Sequence, residues 1–340
     1  MIRRTMLVGA AAVALLASLA AGAQAKEATV GYQLIYSPWA LPITQHTFEK
    51  ETGYAIRWVK FDSGAKVINA MASGNVDIAV AGSSPAAAGA SQGIDYELFW
   101  LLDDIASAEA LVVRDGSGID PKNPSTLKGK KLGVPFVSTT HFHTLFALET
   151  WGIKPTELQI LNMQPNQIAA AWERGDIDAA FVWDPALARV KKSGKVMITS
   201  GELSAKGKAT FDGLVVMRKF AEANPDFMAK FVRVIADANA AYRENRAKLT
   251  ADSPIVKANV ELLGGGPQEV IDTLALYSYP TLEELASDRW LGGGAEGGAA
   301  RALKFTAEFL KSQGKVDQVL PDYSRFVTPA FVEAAMKMQH

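Results

Sequence analysis

Residues 73–86 read SGNVDIAVAGSSPA, and this stretch indicates the fold more clearly than any other in the chain. Gly74 is typical of the residue that ends a helix, and residues 76–81 form a short apolar run typical of a buried strand. Ser84 and Pro85 then predict a new helix, with Ser84 as its N-cap and Pro85 at its first position. The stretch therefore predicts a strand that leads directly into a helix.

A second stretch repeats this order about a hundred residues later, where residues 174–186 read RGDIDAAFVWDPA. Gly175 again ends a predicted helix, residues 177–182 form the strand, and Asp184 and Pro185 begin the next helix. The repeat predicts two similar halves, each with a helix that begins at the carboxyl edge of a sheet. Open α/β sheets bind their ligands at this edge.

The first 25 residues have the composition of a secretory signal peptide. Arg3 and Arg4 precede an apolar run at residues 6–23, and a small-x-small motif ends at Ala25. We therefore expect cleavage after Ala25 and a soluble protein in the periplasm. The alternative is an N-terminal membrane anchor.

Composition excludes several classes of function. The 340 residues contain no Cys and four His, and the formal net charge is −1. Disulfides, thiol catalysis and thiolate metal sites are excluded, and a near-neutral charge argues against a nucleic-acid partner. The Gly-rich runs at residues 264–266 and 292–294 lack the GK[ST] of a phosphate loop, and no GxSxG motif is present. We therefore expect neither an enzyme nor a cofactor.

Two histidines resemble a metal pair only superficially. His141 and His143 lie two positions apart on a predicted helix, so they point to different faces. We expect no metal site. His141 is instead a candidate hydrogen-bond donor beside residues 138–140.

Strands alternate with helices along the chain, which predicts an α/β fold with mainly parallel sheets. Residues 115–129 are rich in Gly, Ser, Pro and Asn and predict the crossing into a second lobe, and residues 211–217 predict the returning strand. The predicted first lobe is therefore discontinuous, at residues 26–114 and 214–340, and the second lobe covers residues 115–213.

Two hydroxyl-rich stretches lie where predicted helices begin. Ser83 and Ser84 begin one helix, and Ser138, Thr139 and Thr140 begin another. Free backbone N–H groups, hydroxyl donors and the positive end of a helix dipole together favour an anion. The alternative is that these residues are ordinary N-caps.

Aromatic and acidic residues occupy comparable positions at other strand ends. Trp183 precedes Asp184, and an aromatic ring beside a carboxylate suits an ammonium group, although Asp before Pro is also a common helix cap. Asp212 lies at the predicted second crossing and is a candidate to face the cleft. Glu109 lies just before the first crossing strand, and the alternative for it is a solvated carboxylate on the surface. Trp39 follows the first strand, again at a turn where a strand ends.

Several motifs together resemble a known family. VDIAVAGSSP, ELFWLLDDIASAEALVVR, FVWDP and FDGLVV, with the later WLGGG and AEFLKSQGKV, are similar to the taurine branch of the sulfonate, nitrate and taurine solute-binding proteins of ABC importers. The resemblance covers nearly the whole chain after residue 25. It implies a type II periplasmic binding protein fold, with two lobes joined by a two-stranded hinge.

The resemblance also implies roles for the candidate residues. The sulfonate end of a small zwitterion would be bound by helix N-termini and hydroxyls, the ammonium end by carboxylates, and the ligand would lie between tryptophans. The positions are Ser83, Ser84, Ser138, Thr139, Thr140 and His141 for the sulfonate, Glu109, Asp184 and Asp212 for the ammonium, and Trp39 and Trp183 for the walls.

We therefore expect a monomeric periplasmic receptor that binds taurine and delivers it to an ABC permease. A simple alkanesulfonate would leave buried carboxylates unpaired, which is costly. Alternatives are a receptor for another sulfonate or zwitterion, such as aminoethylphosphonate, and an enzyme on the same scaffold that acts on a pyrimidine precursor. The absence of Cys and the scattered His argue against the enzyme.

Overall fold

The structure of the protein is a computed structural model that describes residues 26–338. The predicted signal peptide and its cleavage site lie outside the described residues. Across residues 26–338, no helix combines the length and the apolar character that a membrane crossing requires.

Ten strands in this range form two five-stranded sheets. The strands are β1 (Glu27–Gln33), β2 (Ala55–Phe61), β3 (Ile78–Gly82), β4 (Tyr96–Asp104), β5 (Glu109–Arg114), β6 (Lys131–Val134), β7 (Gln159–Asn162), β8 (Ala179–Trp183), β9 (Gly194–Thr199) and β10 (Phe211–Met217).

Helices cover the faces of both sheets and form most of the C-terminal third. They are α1 (Ala40–Thr44), α2 (Thr47–Thr52), α3 (Gly64–Ala72), α4 (Ser83–Ser91), α5 (Thr139–Thr150), α6 (Pro165–Arg174), α7 (Ala186–Lys191), α8 (Ser200–Ser204), α9 (Arg218–Ala223), α10 (Pro225–Asn245), α11 (Pro254–Leu263), α12 (Pro267–Leu274), α13 (Leu282–Ala286), α14 (Gly298–Ser312) and α15 (Ala330–Met336). Short 3-10 helices lie at Pro124–Leu127, Pro155–Glu157, Arg246–Lys248, Gly294–Glu296 and Ser324–Phe326.

The two sheets share one topology. The first has the order β2-β1-β3-β10-β4, and the second has the order β7-β6-β8-β5-β9. We call each sheet with its packed helices a lobe. The strands of the two similar stretches, β3 and β8, occupy the equivalent central position in the two sheets, β3 beside β1 and β8 beside β6, so the predicted similarity of the two halves is confirmed.

The prediction of mainly parallel sheets is wrong for two of the four strand pairings in each sheet. Strands β1, β2 and β3 are parallel, but β10 is antiparallel to both β3 and β4. In the second sheet β5 is likewise antiparallel to β8 and β9. In each sheet the reversed strand is the one that arrives from the other lobe, so no crossover helix sets its direction.

The structure also moves the lobe boundaries. Residues 110–114 were assigned to the first lobe, but β5 pairs within the second sheet, so the chain crosses at residues 105–108. Residues 115–129 instead form an external loop within the second lobe. The returning strand β10 pairs within the first sheet from Phe211 onward, ahead of the predicted boundary at residue 214. Apolar periodicity identifies a strand but does not say which sheet it joins.

The long helix α10 shows how the first lobe is stabilised. Its predicted apolar stripe is confirmed, because Phe227, Phe231, Val234 and Ile235 are all buried. Phe231 packs on Phe48 of α2 with ring centroids 4.6 Å apart. Burying one such side chain contributes about 1.5–3 kcal/mol relative to leaving it exposed.

Helices α11 and α12 are attached to the first lobe through the loop that follows β1. The Tyr36 hydroxyl lies 3.0 Å from the carbonyl of Gly264 and 3.1 Å from Oε1 of Glu269 in α12. The Asn259 side chain of α11 also hydrogen bonds to the backbone of Ser37. Groups on α12 therefore move with the first lobe.

Candidate ligand-binding site

A small cavity lies between the lobes at the carboxyl edges of both sheets. The space among its lining residues, including the part open to solvent, is about 280 Å³. The first lobe contributes six lining residues and the second lobe four, so both lobes are needed to complete it. The lining residues are Gln33, Ile35, Gly64, Gly82, Pro85 and Asp212 from the first lobe, and Glu109, Ser138, Thr139 and Trp183 from the second.

Three helix N-termini converge on this interlobe cavity. Gly64 is the first residue of α3, Gly82 is the N-cap of α4, and Ser138 is the N-cap of α5. The first-turn N–H groups of a helix have no intrahelical acceptor, and the helix dipole gives this end a partial positive charge. One side of the cavity is therefore suited to an anion.

Ser83 and Ser84 begin α4 but are not among the residues that line the cavity. The prediction that Ser84 is an N-cap is wrong, because α4 begins at Ser83 and its N-cap is Gly82. Both serine side chains are 0% exposed, and neither hydroxyl has a hydrogen-bond partner. A buried hydroxyl without a partner is costly, so a bound acceptor beside Gly82 would offset this cost.

The hydroxyls at the start of α5 already have partners. Ser138 Oγ donates to the carbonyl of Pro135 at 2.6 Å and accepts the His141 N–H at 3.1 Å, and it also contacts Thr140 Oγ1 at 2.7 Å. The Thr139 hydroxyl donates to Oε1 of Glu109. The interpretation of this stretch as a helix cap is therefore supported, and α5 can offer an anion its backbone N–H groups.

The lobes approach each other closely at Gly82. A Cβ atom placed there would lie 2.9 Å from Thr139 Cγ2 and 3.3 Å from Asp212 Oδ1. Such contacts are too short for a side chain, so only glycine permits this approach. Asp212 of the first lobe and Thr139 of the second therefore both lie close to Gly82.

The loop before α5 has a strained backbone. Val137 has φ +61°, which is unfavourable for a β-branched residue and costs of order 1–3 kcal/mol. Its side chain packs across the lobes on Ala88, Leu310 and Val316. Contacts with the first lobe thus help to hold the loop that leads into Ser138.

Two buried carboxylates also line the cavity, one from each lobe. Burial, and then the nearby Asp212 charge, raise the pKa of Glu109 to about 8, against the opposite effect of hydrogen bonds from Thr139 and Ser200. Burial also raises the pKa of Asp212 to about 7. Among the lining residues of the described chain, none is Lys or Arg. The two carboxyl groups are therefore suited to a cation.

Asp103 is a third buried carboxylate that the sequence reasoning missed. It pairs directly with Asp212 across strands β4 and β10 and is 0% exposed. The backbone amide of Asp212 lies nearby, but no donor makes a hydrogen bond of normal geometry with either oxygen. Burial, and then the Asp212 charge, raise the pKa of Asp103 well above its usual range. Two consecutive Asp residues at the end of an apolar strand were the available signal.

The lining contains further residues that the sequence did not single out. Gln33 is the last residue of β1. Its side chain lines the cavity and donates to the carbonyl of Val80 at 2.9 Å. The remaining ones, Ile35, Gly64 and Pro85, are apolar or lack a side chain, so nothing in their chemistry indicated a site.

The two predicted tryptophans have different positions. Trp183 lines the cavity, and its indole N–H is buried without a partner, so it can donate to a ligand. Trp39 is not among the lining residues. It packs in the core of the first lobe, with ring centroids 5.7 Å from Trp58 and 6.4 Å from Phe48. Its position after a strand did not reveal that the side chain turns inward.

His141 lies outside the cavity lining as well. Its ring stacks on Phe136 at 4.5 Å, and Nδ1 accepts the Val137 N–H at 3.4 Å. Burial and the Lys315 charge lower the pKa of His141 to about 4, so the ring is neutral. It faces a shallow pocket on the other side of the loop.

Asp184 joins the lobes at a second place outside the cavity. Its Oδ1 accepts the N–H of Ala188 in α7 at 2.7 Å, and its Oδ2 accepts the hydroxyl of Thr273 in α12 at 2.5 Å. The prediction that it binds an ammonium group is not supported, because Asp184 lies outside the cavity lining and both of its oxygens are engaged. The N-cap of α7 is Pro185 rather than the predicted Asp184, although Asp184 does accept an N–H group of the first turn. The interlobe contact with Thr273 was not predicted from the sequence.

Two α/β lobes around a buried polar cavity define the class of two-lobed solute-binding proteins. Residues 21–252 match the NMT1-like family, and the chain belongs to this family. It is 40% identical over 322 residues to the taurine-binding periplasmic protein of Escherichia coli (strain K12), a match that covers 94% of this chain and 97% of that protein. The resemblance inferred from the sequence motifs is confirmed.

Solved structures support the fold. The periplasmic aliphatic sulphonate binding protein SsuA from Escherichia coli matches with a TM-score of 0.71 at 20% identity, covering 91% of this chain and 99% of that one. The periplasmic nitrate-binding protein NrtA from Synechocystis PCC 6803 matches with a TM-score of 0.67 at 11% identity, covering 93% and 90%. The predicted two-lobed type II fold is confirmed.

The contact between Asp184 and Thr273 can be tested by a nearly isosteric substitution. In Thr273→Val, Asp184 Oδ2 stays buried without its donor, so the free energy of unfolding should fall by about 1–3 kcal/mol. Urea denaturation measures this change. Thr306→Val is the matched control, since the Thr306 hydroxyl is buried without a partner and its loss should be neutral. Equal stability of the two variants would contradict a lasting Asp184–Thr273 contact.

The raised carboxylate pKa values predict how the stability of the ligand-free protein depends on pH. The folded protein retains protons on Glu109 and Asp212 that the unfolded chain has lost, so stability should decrease as the pH rises from 6.5 to 8.5. Glu109→Gln mimics the protonated carboxyl and should reduce this decrease, as measured by thermal unfolding across that range. The exposed Glu308→Gln is the control and should behave as the parent. A parent melting temperature that rises over this range would contradict the assignment.

Proposed function

We propose that this chain is the periplasmic receptor of an ABC importer and that it binds taurine between its lobes. The supporting observation is that one cavity is lined both by helix N-termini and by carboxylates from the two lobes. We further propose that the chain is exported by a signal peptide cleaved after Ala25, acts as a monomer, delivers taurine to a membrane permease and catalyses no covalent reaction.

The proposed sulfonate seat is the side formed by the N-termini of α3, α4 and α5. Unpartnered donors lie there or nearby, namely the hydroxyls of Ser83 and Ser84 and the indole N–H of Trp183. The lining contains no basic side chain, so an anion would be held by dipoles and hydrogen bonds alone. Binding without a counter-ion suits a carrier that must release its ligand.

The proposed ammonium seat is the side formed by Glu109 and Asp212, with Asp103 behind Asp212. A buried carboxylate without a counter-ion is costly, and an ammonium group would offset that cost. Nitrate or a simple alkanesulfonate would supply no positive charge. Selectivity for an amine therefore follows from what an amine-free analogue leaves unpaired.

The distribution of charge between the lobes supports a role for the ligand in closure. Glu109 belongs to the second lobe, whereas Asp212 and Asp103 belong to the first. Bringing the lobes together brings like charges together in a buried place. An ammonium group between them converts repulsion into attraction, so the ligand favours the closed form.

The relative with 40% identity supports the choice of taurine, because it is named a taurine-binding periplasmic protein and is matched over nearly its full length. It also supports the proposed location and the expectation that the chain is a binding protein rather than an enzyme.

The proposal is tested by calorimetry with four ligands. Taurine should bind, and ethanesulfonate, which lacks the amine, should bind at least 100-fold more weakly, because it cannot form the buried ion pair whose loss costs about 3–5 kcal/mol. β-Alanine and aminoethylphosphonate keep the amine and change the anion. Equal binding of taurine and ethanesulfonate would overturn the ammonium seat, and tighter binding of aminoethylphosphonate would reassign the ligand. Recovery of taurine unchanged after incubation tests for the absence of catalysis.

A further inference from the structure

A chain of hydrogen bonds leads from Glu109 away from the cavity into the second lobe. Ser200 Oγ, at the start of α8, lies 2.9 Å from Glu109 Oε2. On its other side Ser200 Oγ lies 2.7 Å from His143 Nδ1, and His143 Nε2 lies 2.8 Å from the carbonyl of Lys208. All three side chains are buried, and neither Ser200 nor His143 lines the cavity.

Each of these hydrogen bonds needs one donor proton and one acceptor, which limits where the protons can lie. A carbonyl only accepts, so His143 Nε2 must carry a proton and donate it to Lys208. Ser200 has a single proton. If Ser200 donates it to Glu109, then His143 Nδ1 must also be protonated in order to donate to Ser200. If Ser200 donates it to His143, then Glu109 must be protonated instead.

Both arrangements therefore hold one more proton than a Glu109 carboxylate beside a neutral His143. In one arrangement the extra proton lies on Glu109, and in the other it lies on His143. The two differ by a proton shift along two short hydrogen bonds, with no movement of heavy atoms. The hydrogen-bond network is satisfied at every contact only when this proton is present.

The surroundings place the extra proton on Glu109 when no ligand is bound. Burial lowers the pKa of His143 to about 4, against a smaller opposite effect of the Lys208 carbonyl. The ring lies between those of Phe142 and Phe181, and the Lys208 ammonium lies over Phe305. Burial and Asp212 raise the pKa of Glu109 to about 8.

We propose that Glu109, Ser200 and His143 form a proton relay in which one proton passes from Glu109 to His143 when an ammonium-bearing ligand enters the cavity. The O–H bond of Glu109 breaks as its proton passes to Ser200, and the Ser200 proton passes to His143 Nδ1. No proton leaves the protein along this path. The inference rests on the proposed function, because it requires a cationic ligand beside Glu109.

Through the relay, Glu109 becomes a carboxylate that pairs with the ligand. The proton that leaves Glu109 stays within the protein and is not released to solvent. The charges that face Glu109 from the first lobe are Asp212 and Asp103. They favour a cation in the cavity and also favour the imidazolium of His143 behind Glu109. His143 touches no ligand in this account, so it is a positioning residue that acts through Ser200 and Glu109.

Nitrogen NMR of the histidine side chains tests the relay in the unmodified protein. The chain has four His, and His143→Gln identifies the signal of His143. Without ligand, and with ethanesulfonate, His143 should be neutral with its proton on Nε2. With taurine, both ring nitrogens should be protonated. A neutral His143 in the taurine complex, or an imidazolium without ligand, would overturn the relay.

Calorimetry of Ser200→Ala provides an independent test, because this change interrupts the relay while keeping Glu109 and His143. Proton release is measured at pH 7 from the binding enthalpy of taurine in two buffers of different ionisation enthalpy. The variant should release about one proton more than the parent, and its affinity should fall more steeply as the pH is lowered. Ser204→Ala, on the same helix, removes a buried hydroxyl without a partner and should match the parent.

The two proposals fail in different ways. If the parent does not bind taurine, the proposed function is overturned, and the relay with it. If taurine binds and ethanesulfonate does not, but Ser200→Ala releases the same number of protons as the parent, the relay alone is overturned.

Discussion

The structure depends on negative charge that is buried between two lobes without a basic partner in the cavity lining. Glu109 comes from one lobe, and Asp212, with Asp103 behind it, comes from the other. Removing charge from water is costly unless it is compensated, so these carboxylates either hold protons or face a cation. When these carboxylates are ionised, the closed arrangement of the lobes therefore requires a positive group, and the lining residues do not supply one.

The fold brings these charges together through its two crossings. Glu109 is the first residue of β5 and Asp212 is the second residue of β10, and these are the strands that arrive from the opposite lobe. Each carboxylate thus lies immediately after a connection between the lobes, where a hinge rotation changes the distance between them. The helix N-termini at Gly64, Gly82 and Ser138 line the same cavity, so the site offers groups for an anion and groups for a cation.

Much of the fold could be predicted from local sequence. Short apolar strands followed by capped helices identify α/β halves, and the recurrence of this pattern in β3 and β8 indicates that the halves are alike. The sheet that a strand joins could not be predicted in this way, because β5 has the same apolar pattern as any buried strand. The lobe boundaries were misplaced for this reason.

The chemistry of the candidate site could be predicted from the sequence, but the direction in which each side chain points could not. Glu109, Asp212 and Trp183 line the cavity as expected, while Trp39 points into a core and Asp184 is bound by Thr273. Position at a strand end says that a residue is near the sheet edge but not where its side chain points. Ser200 was not singled out, and His143 was considered only as a metal ligand, because their contacts join residues distant in sequence.

The orientation of the ligand is the central claim, and a crystal structure of the protein with taurine tests it most directly. We predict that the sulfonate lies at the N-termini of α3 and α4, within hydrogen-bond distance of Ser83 or Ser84, and that the ammonium group lies between Glu109 and Asp212. A taurine molecule bound in the reverse orientation, or outside the interlobe cavity, would contradict it.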